Sequence, residues 1–226
     1  MSELKDKTVK GVMWSSIDRF STQGIQFVFS ILIARLLMPE DYGVVAMLNI
    51  FLSVSQKFID SGFGTALIRK ADRTETDFST VFYFNIAVSL FFYVLLWIAS
   101  PAIAAFYDIP LLEDVTKVVA LNLVINSFSG IPSAKLSIAI DFKTRAKISL
   151  AVTLLTGFVG LWMAYNGFGV WALVAQSVFG SLLSTFLLWF FVRWMPGLMF
   201  SWKSFREMFS FGSKMLASGL LDTIYT

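Results

Sequence analysis

The sequence predicts an all-α integral membrane protein with six transmembrane helices and the start of a seventh. Its 226 residues are 57% hydrophobic and include 24 Phe, with a mean hydropathy of +0.73, whereas soluble domains are about 45–50% apolar. Its apolar runs are long enough to cross a bilayer, because about 20 helical residues at ~1.5 Å each span the ~30 Å hydrocarbon core. Lys and Arg recur at alternate ends of these runs, a pattern typical of multi-pass proteins.

Composition also excludes several kinds of chemistry for this sequence. It has neither Cys nor His, which removes thiol nucleophiles, disulfides, imidazole bases and the usual zinc ligands. The net charge of +3 is small and no basic run accompanies it, so nucleic acid is not an expected partner. Met1–Lys10 resembles the start of a signal peptide, but the apolar stretch behind it is too long and contains Asp18 and Arg19. We therefore interpret it as an uncleaved first span.

The six predicted spans follow one another with short connections. In chain order they cover residues 11–37, 44–68, 78–106, 115–140, 148–165 and 170–192. A charged link over 69–77 precedes the third span, a basic loop over 141–147 precedes the fifth, and the tight turn 166–169 precedes the sixth. We expect Pro132 to kink the fourth span. After a linker over 193–203, a further amphipathic helix is predicted from 204 to 226.

The first two spans each carry a polar stripe. At 100° per residue, the polar side chains of each span fall on one side of the helix. On the first span these are Ser15, Arg19, Thr22, Gln23, Gln26 and Ser30, with Asp18 at the edge; on the second they are Asn49, Ser53, Gln56, Lys57 and Asp60. Because a charge at membrane depth is costly unless it faces protein or water, both stripes are predicted to face something polar.

The charged residues of the two stripes are expected at similar depth. Counting along antiparallel helices places Arg19 about 10 Å, Asp60 about 12 Å and Lys57 about 16 Å from the cytoplasmic side. One interpretation is two ion pairs that lock the spans together. The other is a hydrated cavity whose cations receive an anionic substrate. The uncharged continuation of both stripes favours the cavity, since a lock needs no polar residues above it.

Three further polar patterns have simpler interpretations. The fourth span has a stripe of amides and hydroxyls, which are Asn122, Asn126, Ser129, Ser133 and Ser137. We interpret this stripe chiefly as helix packing, with cavity lining as the alternative. The small residues Ser177, Gly180, Ser181 and Ser184 suit close packing of the sixth span. Asp108, Glu113 and Asp114 are interpreted as acids at a helix start rather than as catalytic groups.

Charge distribution predicts a cytoplasmic N-terminus. Three Lys or Arg residues lie in each of four segments on the predicted inner side, twelve of the 18 in all. These are Lys5, Lys7, Lys10, Arg69, Lys70, Arg73, Lys143, Arg145, Lys147, Arg193, Lys203 and Arg206. The outer ends hold only Arg35 and Lys117. Cytoplasmic loops carry this excess of positive charge.

Several short motifs, in order and spacing, resemble one known family. They are Gly11-Val12-Met13-Trp14, Ala34-Arg35-Leu36-Leu37, Pro39-Glu40-Asp41-Tyr42-Gly43, Asp60-Ser61-Gly62-Phe63-Gly64-Thr65-Ala66-Leu67-Ile68, Asp141-Phe142-Lys143, Gly167-Phe168-Gly169-Val170-Trp171-Ala172-Leu173 and Phe211-Gly212-Ser213-Lys214. The chain resembles the polysaccharide transporter family, the lipid-linked oligosaccharide flippases of the MATE-like exporter superfamily. The resemblance covers essentially the whole chain.

The resemblance implies a fold, a substrate and a location. It implies two six-helix lobes around a cavity of alternating access in the bacterial inner membrane, with residues 1–200 as the N-terminal lobe and 201–226 as the start of a second. Such a chain is expected to need its C-terminal lobe for transport. The implied substrate is a polyprenyl-diphosphate-linked sugar repeat unit, with membrane lipid and a coupling H⁺ or Na⁺ as further partners, and with no metal or other cofactor.

The resemblance also suggests roles for the stripes. Relatives in the superfamily hold the diphosphate with cations on early helices, and Arg19 and Lys57 fit that role by location. Asp18 and Asp60 would orient these cations, while Gln23, Gln26, Asn49 and Gln56 would face the substrate.

Two alternatives remain at this stage. A cation-coupled drug exporter of the same superfamily would show a predominantly acidic cavity, whereas bases and acids balance here. A membrane glycosyltransferase or polymerase would need catalytic groups in large outer loops, and the loops here are short. Glycosyltransferase genes beside this gene would favour the flippase.

Overall fold

The computed structural model describes the backbone of residues 2–60, 63–70 and 72–209, and the side chains in these ranges from residue 13 onward. All regular structure in this part of the chain is helical. In order the helices are α1 (Ser2–Ala34), α2 (Pro39–Asp60), α3 (Phe63–Arg69), α4 (Glu75–Tyr107), α5 (Leu111–Val119), α6 (Leu121–Ile138), α7 (Phe142–Tyr165) and α8 (Val170–Val192). Residues 202–209 are also helical. The predicted all-α class is confirmed.

Five helical stretches in the described chain are long and apolar enough to cross a membrane. They are Pro39–Arg69, Glu75–Tyr107, Leu111–Ile138, Phe142–Tyr165 and Val170–Val192. α1 is long enough, with 33 residues, but it is not among the five because its polar stripe lowers its hydropathy. The predicted count of six spans is therefore confirmed only as several membrane-spanning helices. Most of the predicted seventh helix, residues 210–226, lies outside the described residues.

Two predicted spans each contain two of these helices. The second includes α2 and α3, and residues 61–62 between them lie outside the described residues. The fourth consists of α5 and α6, and Ala120 separates them. The Ala120 amide still donates to the Thr116 carbonyl, at 2.9 Å, so the chain turns there without losing that helical hydrogen bond. The fourth span is nevertheless one helical stretch over Leu111–Ile138. The turn at Ala120 within it was not predicted, and no glycine or proline marks it. Pro132 lies inside α6.

The predicted basic loop over 141–147 is also wrong, because α7 begins at Phe142. Asp141 caps this helix, since its Oδ1 accepts from the Thr144 amide at 3.0 Å and its Oδ2 from the Thr144 hydroxyl at 2.7 Å. The side chain thereby satisfies a backbone donor that has no partner within the helix. Lys143, Arg145 and Lys147 accordingly lie on the first turns of α7.

Other connections follow the predictions. Thr74 and Asp77 form a capping box at the start of α4. Glu113 and Asp114 lie in the first turn of α5, where acids interact favourably with the helix dipole. The turn after α7 uses Gly167 at φ 77° and Gly169 at φ 55°, a region that glycine adopts without steric cost.

The chain divides into two compact units. The first comprises Met1–Met47 and Lys135–Val192. In it α1 and α7 pack through a cluster of buried residues, which are Phe29, Ile33, Leu37, Ala164 and Ala172. Gly157 is required at this contact, because a Cβ there would overlap the Phe29 ring. On α8, Gly180 lies against Thr156, with 3.1 Å between the position of an added Cβ and the Thr156 methyl group. The small-residue face predicted for this helix thus includes a close-packing position.

The second unit comprises Leu48–Ala134 and Arg193–Thr226. Its core contains aromatic rings from α3, α4 and helical residues 202–209. Phe63 lies 4.8 Å from Phe84, and Phe84 lies 5.0 Å from Phe205, between ring centroids. On α4, Phe82 meets Trp194 edge to face at 5.5 Å. Such geometry stabilises aromatic pairs beyond the area that they bury.

Candidate functional site

The predicted site residues of the first span lie on α1, in the first unit. Arg19, Gln23 and Gln26 are exposed, and Asp18 is half-buried. The Asp18 Oδ1 atom is buried and has no hydrogen-bond partner within the described chain. A buried, unsatisfied carboxylate oxygen is costly, so this atom requires a partner that the described residues do not supply.

The predicted site residues of the second span lie on α2, in the second unit. Asn49, Lys57 and Asp60 are exposed, and Gln56 is half-buried. The Gln56 Nε2 amide donates to Asp60 Oδ1 at 3.0 Å, so these two side chains meet one turn apart. Lys57 forms no ion pair with a described carboxylate of its own unit. Its charge acts on Asp60, which lies three residues further along the same helix.

The two sets of charges thus belong to different units, Asp18 and Arg19 to the first and Lys57 and Asp60 to the second. The choice between two interhelical ion pairs and a shared substrate cavity stays a prediction. Within the described chain, no group of three or more His, Cys, Asp or Glu side chains is arranged to hold a metal ion.

A cavity of about 280 Å³ lies within the first unit, and sequence reasoning identified only part of it. Four helices enclose it, namely α1, the start of α2, α7 and α8. Its polar lining consists of Gln26, Ser30, Tyr42, Thr153, Thr156 and Gln176, and its apolar lining consists of Phe29, Ile33, Gly157 and Leu173. Gln26 and Ser30 belong to the predicted stripe of α1. The contributions of α2, α7 and α8 were missed.

A weak sequence signal marks the α7 wall of this cavity. Thr153, Thr156, Gly157 and Gly160 recur at intervals of three and four, so they share one face of the helix. All four are buried. Small and hydroxyl residues at this spacing are typical of close helix contacts in membranes, so the pattern alone predicts packing and does not reveal a cavity.

The polar faces of α4 and α6 meet in the second unit. Ser89 and Ser127 are both buried, and their hydroxyl oxygens are 3.1 Å apart. Each hydroxyl also contacts a backbone carbonyl of its own helix, Ile86 and Val124 respectively. Hydroxyl contacts of this kind are typical of helix packing in membranes. Ser127 lies outside the predicted stripe of the fourth span, so the packing interpretation of that stripe stays a prediction.

A charged cluster joins α4 to the chain that follows α8. Lys70 Nζ lies 3.1 Å from Oδ2 of the buried Asp77 and 3.4 Å from Oε2 of Glu207. Burial lowers the pKa of Lys70, but the hydrogen bonds and charges of Asp77 and Glu207 outweigh this effect and raise the pKa above its usual value. Lys70 therefore stays charged at physiological pH, and stability from these pairs is lost as pH rises beyond the ordinary lysine range. It is also lost as pH falls below the ordinary aspartate range, because burial raises the pKa of Asp77 but its hydrogen bonds outweigh this effect and lower it.

Comparison with known proteins identifies the family. Residues 32–226 match the family described as "Polysaccharide biosynthesis protein". The chain belongs to this family. Among curated relatives, it is 28% identical over 227 residues to the teichuronic acid biosynthesis protein TuaB of Bacillus subtilis, covering 99% of this chain and 47% of the relative. No solved structure matches.

Two other curated relatives support the same grouping. The succinoglycan biosynthesis transport protein ExoT of Rhizobium meliloti is 24% identical over 96% of this chain and 44% of its own length. The lipopolysaccharide biosynthesis protein WzxC of Escherichia coli is 21% identical over 99% of this chain and 46% of its own length. The chain spans about half the length of the curated relatives that it matches. The resemblance predicted from the motifs is confirmed.

Proposed function

We propose that this chain is the N-terminal lobe of a flippase that moves polyprenyl-diphosphate-linked oligosaccharide repeat units across the bacterial inner membrane. The observation that carries the proposal is the family match over residues 32–226. Relatives across that match are named for teichuronic acid, succinoglycan and lipopolysaccharide biosynthesis, and one of them is named a transport protein. These polymers differ in their sugars, so the common requirement is transport of the assembled units and not one glycosidic reaction.

The proposed architecture extends the helices described above. α1 is the first of six spans, with the N-terminus in the cytoplasm, residues 1–200 form one lobe and residues 201–226 begin a second. Alternating access moves the substrate, as in transporters with a central site between lobes. A coupling ion, H⁺ or Na⁺, supplies the driving force. The protein is not an enzyme in this proposal, because no bond of the substrate is made or broken.

The stripes on α1 and α2 supply the proposed binding groups. Arg19 and Lys57 attract the diphosphate. Both side chains are exposed on the surfaces of their helices, which supports this role. Arginine suits it because its planar guanidinium donates two parallel hydrogen bonds to phosphate oxygens. Asp18 and Asp60 orient the cations, and the hydrogen bond from Gln56 holds Asp60 in place. The amides of Gln23, Gln26 and Asn49 face the sugars.

Deletion of the gene in its own host tests the function. We expect surface polysaccharide to disappear while completed lipid-linked repeat units accumulate on the cytoplasmic face, because synthesis continues without export. Mass spectrometry of extracted lipids separates this result from the alternatives. Incomplete repeat units would indicate a glycosyltransferase, and unchanged polysaccharide would indicate a drug exporter. Restoration of export by the reintroduced full-length gene serves as the control.

A further inference from the structure

The cavity of the first unit lies at membrane depth. Counting at ~1.5 Å per residue, Gln176 is about 9 Å from the start of α8, Gln26 about 12 Å from the end of α1 and Thr153 about 18 Å from the end of α7. These helix ends lie on the same side of the unit, since Leu37 packs in one cluster with Ala164 and Ala172. The cavity therefore extends from about 9 to about 18 Å from these helix ends, which lies within the ~30 Å hydrocarbon layer.

The polar groups of the cavity are incompletely satisfied. The side chains of Gln26, Tyr42 and Gln176 form no hydrogen bond with any described residue, whereas the Thr156 hydroxyl donates to the Val152 carbonyl at 2.7 Å. An unsatisfied polar group in hydrocarbon costs several kcal/mol, on the order of a lost hydrogen bond. Two amides and a phenol that converge on one space at this depth require water or a polar ligand.

The lining distinguishes between classes of ligand. None of the ten lining residues carries a charge, so a bound ion would find no counter-charge in the lining at membrane depth. An amide both donates and accepts hydrogen bonds, as does a sugar hydroxyl. The Phe29 ring adds an apolar surface for the C–H side of a sugar ring. The volume of about 280 Å³ lies at the lower end of small-molecule sites, about 300–1,000 Å³, and suits one sugar ring.

We propose that this cavity is a subsite for one neutral sugar ring of the lipid-linked oligosaccharide, separate from the cations that meet the diphosphate. The inference rests on the proposed function and adds to it a subsite formed by α1, α2, α7 and α8. Gln26 and Gln176 bind the sugar hydroxyls from opposite helices, and Tyr42 binds one near the outer end of the cavity.

Two glycines of α7 give the cavity its shape. Gly157 leaves space for the Phe29 ring. Gly160 leaves space for the Gln176 amide, because a Cβ at 160 would lie 2.9 Å from its carbon and oxygen. A methyl group at 160 would also lie 3.2 Å from Cδ1 of the buried Ile33, so two side-chain ends must shift, and no backbone atom is among the closest contacts. Gly160→Ala therefore displaces a binding group through side-chain shifts.

Protection of an introduced cysteine tests the subsite in the purified full-length protein, cleared of any other cysteine. Ser30 is exposed and lines the cavity, so Ser30→Cys should react with a hydrophilic maleimide. The probe is the repeat-unit oligosaccharide, released from its lipid by mild acid and dephosphorylated. We expect saturating probe to slow labelling at least threefold. Gln176→Leu or Gly160→Ala should abolish this protection, whereas Leu155→Ala, an exposed position outside the cavity, should preserve it.

The outcomes separate this inference from the proposed function. An unreactive cysteine would overturn the inference, because the cavity would not be open to water. The inference would also be overturned if the oligosaccharide did not slow labelling. Protection by sodium chloride but not by choline chloride would indicate an ion site and would overturn it as well. Gene deletion tests the function alone. If deletion of the gene stops export but the oligosaccharide does not protect the cysteine, only the subsite is refuted.

Discussion

At the scale of single residues, the structure shows where a side chain cannot be tolerated. Gly24 and Gly157 both lie inside long helices, and sequence alone gives them the same cost in helix propensity. Their surroundings differ: a Cβ at Gly24 meets nothing within 4 Å, whereas one at Gly157 would overlap the Phe29 ring. Only the second glycine is needed for packing.

This contrast gives a stability prediction. Gly157→Ala should lower the free energy of unfolding by about 1–3 kcal/mol, because the buried Phe29 ring must move. Gly24→Ala should be neutral or stabilising by up to about 1 kcal/mol, because it improves helix propensity. Thermal unfolding of the two variants in the same detergent measures the difference. Equal melting temperatures would contradict the close approach of α1 and α7.

At the candidate site, residue patterns in the sequence identified only the part of the cavity that α1 contributes. The polar stripe of α1 is visible in the sequence because Gln26 and Ser30 stand out among apolar neighbours. Tyr42, Thr153 and Gln176 do not stand out, since single hydroxyls and amides are common in transmembrane helices as packing groups. Their role becomes visible only when four helices place them around one space. Sequence periodicity describes one helix at a time and cannot show this convergence.

At the scale of helices, long uniform patterns were predicted well and local breaks were not. α8 occupies residues 170–192 as predicted, because apolar residues fill the whole interval between a glycine turn and a proline-containing linker. The break at Ala120 has no such signal. The start of α7 was missed because Lys and Arg near Asp141 were interpreted as a loop. The sequence signal for the start of α7 is Asp141, an N-cap residue whose side chain accepts from the Thr144 amide.

The chain after α8 is held against the start of α4 by side chains that sequence reasoning did not assign. The Gly197 amide donates to the Ser79 hydroxyl oxygen and the Ser201 amide to that of Thr80, both at 3.0 Å. The Trp194 indole donates to Glu75 at 2.8 Å. Ser79 and Thr80 are fully buried, so these acceptors replace water for backbone groups of an irregular segment.

Removal of both acceptors should loosen the segment locally. In Ser79→Ala/Thr80→Val the amides of the half-buried Gly197 and Ser201 lose their partners. Each lost hydrogen bond costs about 0.5–1.5 kcal/mol. Hydrogen exchange of residues 195–201 should accelerate at least tenfold, while exchange in α7 stays unchanged. Ser181→Ala on α8 is the matched control. Protection that persists in the double variant would show that aromatic packing around Trp194 holds the segment by itself.

At the scale of the whole molecule, charge predicts orientation. With the N-terminus inside, Thr74 and Thr144 are cytoplasmic and Asp108 and Asn166 are external. Thr74, Asp108 and Asn166 are exposed, whereas Thr144 is half-buried. Both threonines take part in helix caps, so exposure alone makes Thr74 the better inner position. An impermeant thiol reagent on intact cells should label Asn166→Cys and spare Thr74→Cys until the cells are opened. The reverse pattern would invert the topology.

The charges of α1 and α2 decide whether the stripes bind substrate or lock helices. A buried pair that loses one partner costs about 3–5 kcal/mol, while joint replacement by apolar residues is often neutral. A lock therefore predicts rescue by a paired substitution. A diphosphate site predicts loss of export that no pairing repairs. In a substrate site, single substitutions of the exposed Lys57 and Arg19 should leave membrane abundance normal. In a lock they should lower abundance, and the paired variants should restore it.

We expect Arg19→Ala and Lys57→Ala to abolish export in the full-length protein. Arg19→Lys should also export poorly, since the ammonium group cannot donate two parallel hydrogen bonds to a phosphate. The pairs Arg19→Ala/Asp60→Ala and Lys57→Ala/Asp18→Ala should fail as well, because removing an acid does not return a cation to the substrate. The measurement is surface polysaccharide relative to membrane abundance for each variant. Full export from either pair would establish an interhelical lock and remove Arg19 and Lys57 from the substrate site.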